Sequence, residues 1–169
     1  MSFVIHARGF DHPDAVGLVH RIQQYYLELY GGHDRDATDP AQFSPPQGLF
    51  LVGYLDGEPV ACGGWRRRDE STAEIKRMYV ADSARGRGLA RRLLDELEAT
   101  ARAAGVGRIV LNTGFRQTDA MAFYERAGYR RTDDRFGHYG AIEGAFFFAK
   151  DLGPVRQTSA RKLPPDPAR

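Results

Sequence analysis

Four arginines and two glycines fall within eight residues, Arg85-Gly86-Arg87-Gly88-Leu89-Ala90-Arg91-Arg92. The residues before this run, Ile75, Met78, Tyr79 and Val80, are strand formers. Those after it, Leu89, Ala90, Leu93, Leu94, Leu97, Ala101 and Ala104, recur at spacings of three and four, which predicts a helix. Strand, glycine loop and helix in that order make a phosphate cradle. Loop N–H groups are free, the helix start is electropositive, and glycine admits an anion to the backbone. Two nucleotide readings fail. A P-loop ends in Gly-Lys-Ser/Thr, which is absent. A dinucleotide fingerprint wants glycine or alanine where Arg91 stands and an acid after the next strand, yet Ile109-Val110-Leu111 runs into Asn112.

The elements that must position this loop can be read along the chain. Phe3 to Ala7 predicts an opening strand. Asp11-His12-Pro13-Asp14 starts a helix, with proline suited to its first turn and an acid near the positive end. Its stripe is Ala15, Leu18, Val19, Ile22, Tyr26 and Leu29, with Tyr25 and Tyr30 beside it, and Gly31-Gly32 ends it. His33 to Gly48 is a long polar, proline-bearing connection of the kind that borders sites. Leu49–Leu55 and Pro59–Arg68 flank the hairpin signal Asp56-Gly57, and Gly63-Gly64 predicts a bulge or close approach. Thr72–Val80 completes a three-strand meander. Beyond the long helix come a buried strand at Arg108–Thr113, a helix that Thr118 can cap and Gly128 ends, and a strand pair, Tyr129–Thr132 and Ala145–Lys150. The expected fold class is α/β in the α+β sense, a mixed sheet with helices packed on it.

The loop Arg85-Gly86-Arg87-Gly88-Leu89-Ala90 resembles the R/Q-x-x-G-x-G/A loop of the GNAT superfamily of acyl-coenzyme A-dependent N-acyltransferases. A second run, Gly114 to Tyr129, resembles that family's N-x-x-A-x-x-x-Y-x-x-x-G-F/Y segment, with Gln117 where the family often has Asn. The element order is similar over residues 3–152. The resemblance implies a central, mostly antiparallel sheet splayed at its fourth and fifth strands, with helices on both faces. It also implies acetyl transfer from acetyl-CoA to a primary amine by direct attack in a ternary complex, without a metal. The acceptor would be a small molecule, amino acid or peptide, and a homodimer would be in keeping with the family. The domain is expected at residues 1–152 and a disordered basic, proline-rich tail at 153–169.

Acyl transfer from a thioester to an amine sets four requirements. The loop Arg85 to Ala90 answers the first, an anchor for the coenzyme phosphates. By resemblance, backbone groups of Met78, Tyr79 and Val80 would answer the second, a strand edge for the peptide-like pantetheine arm, helped by Gln117. The Met78 N–H would also polarise the thioester carbonyl. Third, an alkyl ammonium with a pKa of about 10.4 must lose a proton. Glu74, eleven residues before Arg85, stands where several family members carry a basic carboxylate; a salt bridge with Lys76 or a surface position are its other readings. Fourth, the departing thiolate gains from a proton. Tyr124 holds the family's tyrosine position, and a phenol of pKa about 10 can protonate a thiolate whose thiol pKa is about 8.5. Its other reading is as one of the apolar stripe Ala120-Phe123-Ala127.

Composition narrows the field of partners. In this 169-residue chain, residues 1–152 hold 20 basic and 21 acidic side chains, whereas residues 153–169 hold 4 and 1. The basic surplus belongs to the tail, which speaks against nucleic acid as a partner despite Arg66-Arg67-Arg68. One cysteine, Cys62, permits no internal disulfide and no cysteine zinc cluster, and the five histidines lack ligand spacing. With no long apolar run and no signal-peptide pattern, the expected setting is the cytoplasm, away from membranes. A coenzyme A-binding regulatory module without turnover is the alternative function.

Overall fold

The computed structural model describes residues 1–154; nearly all of the tail expected to lack order therefore lies outside the described residues. The order is β1 (Phe3–Ala7), α1 (Pro13–Tyr30), β2 (Gly48–Leu55), β3 (Glu58–Arg67), β4 (Thr72–Val80), α2 (Leu89–Ala103), β5 (Arg108–Gly114), α3 (Thr118–Arg126), β6 (Arg130–Thr132) and β7 (Ala145–Asp151). Short 3-10 turns stand at Pro40–Phe43 and Asp82–Ala84. The expected element order is present. In the sheet the strands run β1-β2-β3-β4-β5-β7-β6, with β7 inserted between β5 and β6.

Local chemistry explains the joints. His12 caps α1, its Nδ1 accepting the Asp14 N–H at 3.1 Å, and Gly31 closes the other end in the left-handed region with φ 74°. The β2–β3 hairpin turns on Asp56 and Gly57 with φ of 50° and 89°, the two positive values that a two-residue type I′ turn needs. Thr118 does not cap α3. Gln117 holds the cap position, and its side chain is committed elsewhere.

Alternation along the strands builds two cores. Leu51, Ala61, Ala73 and Ile75 face α2, where Leu89, Leu93, Leu94, Leu97 and Ala101 are buried. Phe50, Val52 and Cys62 face α1, against Ala15, Leu18 and Ile22. Each leucine of α2 contributes about 1.5–3 kcal/mol by leaving water, which is why this helix holds without a side-chain cap.

Two irregularities prepare the site. Strand β4 pairs with β5 in parallel only at Thr72–Arg108, Ala73–Ile109 and Glu74–Val110, after which the two strands part. Further along, Cys62 opposes Tyr79 while Gly64 opposes Lys76, so Arg77 and Met78 share a bulge against Gly63. A Cβ on Gly63 would lie 2.7 Å from the Met78 sulfur, so a larger residue there would push the Met78 side chain aside.

Candidate active site

Between the parted strands lies a cavity of about 530 Å³. Its walls include Ile75 to Met78 from β4, Leu111 to Gly114 from β5, Tyr124 from α3, Tyr26 and Tyr30 from α1, and Tyr139 from the β6–β7 connection. The opening arises because no strand fills the gap beyond Glu74 and Val110, leaving one β4 edge unpaired. Ala81 N–H bonds the Val60 carbonyl at 2.8 Å on the β3 side. The groups of Val80 consequently point the other way, while Tyr79 faces Cys62 and Met78 lies in the bulge.

One end of this edge runs into the glycine loop. Gly86 and Gly88 have φ of 76° and 73°, and a Cβ on either would meet no protein atom within 4 Å. Gly88 is the N-cap of α2 and supplies no side-chain acceptor to the first turn. Leu89, Ala90 and Arg91 therefore begin the helix with N–H groups uncapped, and the N–H of Arg92 is the first to turn back, to Gly88 O at 3.2 Å. These free donors and the open space above the glycines suit a coenzyme diphosphate. The arginines are less uniform than their spacing suggests. Arg85 donates from Nε to Val80 O at 3.1 Å and pairs with Asp82, Arg91 pairs with Asp95, and Arg92 donates to Phe3 O. Among the described residues Arg87 touches only the Met1 sulfur, at 3.3 Å, and its guanidinium could meet an anion. Leu89 is buried in the core and Ala90 half-buried, so their contribution to a phosphate is the backbone.

Tyr124 projects from α3 into the cavity wall and is 7% exposed. Its ring meets Phe123 and Tyr129 edge-on, at 5.2 and 5.5 Å, so it belongs to the apolar stripe and to the cavity at once. No described protein group bonds its hydroxyl. Burial, with Tyr26 nearby, pushes this phenol above its ordinary pKa and keeps it protonated. Gln117 also reaches the wall, but its Oε1 accepts the Gly114 N–H at 2.8 Å and the Tyr30 hydroxyl at 3.4 Å. Its NH2 end lies toward the Tyr26 phenol.

Glu74 sits at the last closed pair of β4 and β5, 1% exposed, outside the cavity walls. Its partner is not Lys76. Arg66 Nε donates to Oε1 at 3.1 Å, and Arg68 stands 3.5 Å from the same oxygen. Oε2 has no protein partner among the described residues. Arg66 itself is buried rather than solvated. It also binds Asp36 at 2.7 Å and donates to Ala37 O and Gln42 Oε1, both at 2.9 Å.

The connection after α1, which the sequence marks as bordering a site, brings in two acids that pattern reading did not single out. Asp34 Oδ2 faces Lys76 at 3.5 Å and pairs with Arg77, and its Oδ1 accepts the Tyr139 hydroxyl. Asp36 pairs with Lys76 at 2.9 Å. Burial works to raise the Asp34 carboxyl, but Lys76, Arg77 and the Tyr139 hydrogen bond together hold it below the usual carboxylate range. The same contest lowers Asp36, through Lys76 and Arg66. Tyr139 is pushed up to about 12 by burial and by its bond to Asp34. A signal was available: Asp-Arg-Asp at 34–36 can present two acids on one side, and Lys76-Arg77 are adjacent cations in an otherwise buried strand. Cys62 lies beneath this network, its thiol donating to Arg77 O at 3.3 Å and pushed up by burial, which makes it inert.

Comparison with known proteins agrees with this geometry. Residues 18–129 match the family model described as acetyltransferase (GNAT) family. The chain is 35% identical over 156 residues, 90% of its length and 100% of the relative's, to the IAA acetyltransferase of Azospirillum brasilense. A solved candidate acyl-CoA N-acyltransferase from Klebsiella pneumoniae superposes with a TM-score of 0.77 at 28% identity, covering 89% of this chain and 98% of that one. A GNAT acetyltransferase from Elizabethkingia anophelis, solved with acetyl-CoA bound, shares the fold with a TM-score of 0.65 at 18% identity, covering 88% and 97%.

Proposed function

The chain belongs to the acetyltransferase (GNAT) family, and we propose that it passes the acetyl group of acetyl-CoA to a primary amine of a small molecule within a ternary complex. The observation that carries this reading is the single cavity through the splayed sheet. It runs from Met78 and Tyr124, by the unpaired β4 edge, to Asp34 and Tyr139 on the α1 side. One cavity thus brings Tyr124 and Met78 together with the polar groups of the connection after α1, so two reactants can meet in it, as direct transfer needs.

In this reading acetyl-CoA supplies an activated acyl carbon and a thiolate leaving group. The N–H groups of Leu89, Ala90 and Arg91 and the Arg87 guanidinium hold its phosphates, with Gly86 and Gly88 giving them room. Backbone groups of Val80 and Met78 pair with the amides of its arm, with Tyr79 flanking and Gln117 beside it. Met78 N–H donates to the thioester oxygen as negative charge develops there. Tyr124 gives its proton to the departing sulfur. Glu74 receives the amine's proton through Oε2 and a bridging water. The ion pairs to Arg66 and Arg68 favour a second reading, in which Glu74 only anchors β3 to β4.

Among the described residues no helix is long and apolar enough to cross a membrane. The cytoplasm is the proposed setting of the reaction. The test is free-thiol release from acetyl-CoA across a panel of small amines, with coenzyme binding followed by calorimetry. Turnover on one amine class is the expected result. Tight coenzyme binding with no turnover on any amine would favour the non-catalytic coenzyme A-binding module instead.

A further inference from the structure

The acceptor end of the cavity has an unusual balance of charge. Asp34 looks like a receptor for a cationic substrate, yet it has no capacity to spare. Oδ1 accepts the Tyr139 hydroxyl and the Asp36 N–H, the latter at 2.9 Å, while Oδ2 faces both Lys76 and Arg77. A further cation there would displace a buried partner and leave it uncompensated. The unused groups are of the opposite kind. Arg77 is 5% exposed, and its Nε–H has no acceptor although the residue lines the cavity. Arg35 lines the same cavity, its backbone N–H anchored on the Tyr139 hydroxyl at 3.1 Å. Its exposed guanidinium has no partner among the described residues. Glu143, exposed at the same mouth, offers one negative charge, so the mouth has no acidic surplus of the sort a polycation requires.

The rim adds a second demand. Tyr30, Phe115 and Ile142, 37%, 51% and 41% exposed, line this opening and are among the most exposed large hydrophobic side chains described. Tyr30 and Phe115 meet edge-on at 6.0 Å, so they form one surface. A ligand that covered them would gain by removing apolar surface from water.

We propose that the acceptor is an amine bearing both a carboxylate and an apolar side group, in its simplest form an aromatic or large aliphatic α-amino acid. Its carboxylate meets the exposed Arg35 guanidinium, and its side group lies on Tyr30, Phe115 and Ile142. This rests on the acetyl-transfer reading above and narrows it. A charge-assisted contact to guanidinium is worth a discrimination of tenfold or more over a neutral isostere.

The experiment compares L-phenylalanine, L-leucine, L-phenylalaninamide, phenethylamine and spermidine by thiol release from acetyl-CoA. In parallel, N-acetyl-L-phenylalanine and its amide are titrated into the coenzyme A-loaded protein by calorimetry. The expected result is a kcat/KM for the amino acids at least tenfold above that of the amide and phenethylamine, and further above that of spermidine. Arg35→Gln should compress the acid-to-amide ratio to within about threefold. Arg35 is exposed, so this variant should fold. Spermidine as the best acceptor, or a ratio indifferent to Arg35→Gln, would overturn the proposal. If no amine releases thiol, the calorimetric arm decides: a tenfold preference for the N-acetyl acid keeps the ligand class while the transfer reading falls, and no preference removes the class as well.

Discussion

Lys76 and Arg77 are neighbours on one strand, yet both side chains reach the same carboxylate oxygen of Asp34. Successive strand residues ordinarily face opposite sides of a sheet. The β4 bulge removes that constraint, since Arg77 sits at φ 60° and swings onto the face that Lys76 already occupies. One extra residue opposite Gly63 therefore ties the connection after α1 to the strand that borders the cavity.

Because that tie is a buried network, removing one member should cost more than a surface pair would. Asp34→Asn leaves Lys76 and Arg77 short of counter-charge, and the expected loss is about 3 kcal/mol of unfolding free energy by urea titration. A loss within about 0.5 kcal/mol, the range of an exposed pair, would show that solvent reaches the network.

The same network sets the acid limit of stability. Burial acts to raise Asp34 and Asp36, and their cationic partners outweigh it, so both folded carboxyls lie below their unfolded values. As pH falls, the unfolded chain takes up these protons first. The contribution is full above the unfolded carboxylate value of about 3.9 and is lost as pH drops through the lower folded values. Urea midpoints should fall steeply below about pH 4 in the wild type and less steeply in Asp34→Asn. Equal slopes in both proteins would place the acid transition elsewhere.

At Tyr124, loss of the hydroxyl should separate binding from chemistry. Tyr124→Phe keeps the ring contacts with Phe123 and Tyr129, so the coenzyme dissociation constant should stay within about twofold while kcat drops about a hundredfold. Unchanged turnover would leave the residue as packing alone.

For Glu74 the two readings part on substitution. Glu74→Gln weakens the contacts from Arg66 and Arg68, and the melting temperature should fall. If Oε2 also takes the amine's proton through water, kcat per folded molecule should fall by at least tenfold. A lower melting temperature with undiminished kcat would reduce Glu74 to an anchor.

The glycine loop offers a test that leaves the cavity untouched. A Cβ at position 88 meets no protein atom within 4 Å, but Gly88→Val must adopt φ near 73°, a strain of about 1–3 kcal/mol. It also sets a branched side chain where a phosphate would lie. Acetyl-CoA affinity should fall at least a hundredfold while the protein still unfolds cooperatively; retained affinity would remove the cradle from the site.

Much of the architecture was legible because it rests on local chemistry. The stripe Leu89, Leu93, Leu94 and Leu97 could pack only as a helix, and Asp56-Gly57 could close only a tight hairpin. Gly86 and Gly88 announced a backbone open to an anion, and Tyr124 stood out by its place in a motif. Each of these signals is contained within a few residues of chain. The Thr118 cap was misread for the complementary reason: Gln117 takes the cap position because the β5 end at Gly114 folds back onto its side chain.

The cavity end around Asp34 is built by contacts between distant segments. Asp34 and Arg77 are 43 residues apart, and Asp34 and Tyr139 are 105 apart. No spacing rule relates them. They meet because β4 and β5 part after Glu74 and Val110, and because the bulge turns Arg77 onto the face of Lys76. The charge of Arg66 was visible in the sequence. That it would be spent on Asp36 and Glu74 depended on burial, since a charge removed from water must find a partner wherever the fold supplies one. The elements, their order and the glycine loop are written in short-range pattern. Only tertiary structure decided which charges are consumed by the protein and which are left for a substrate.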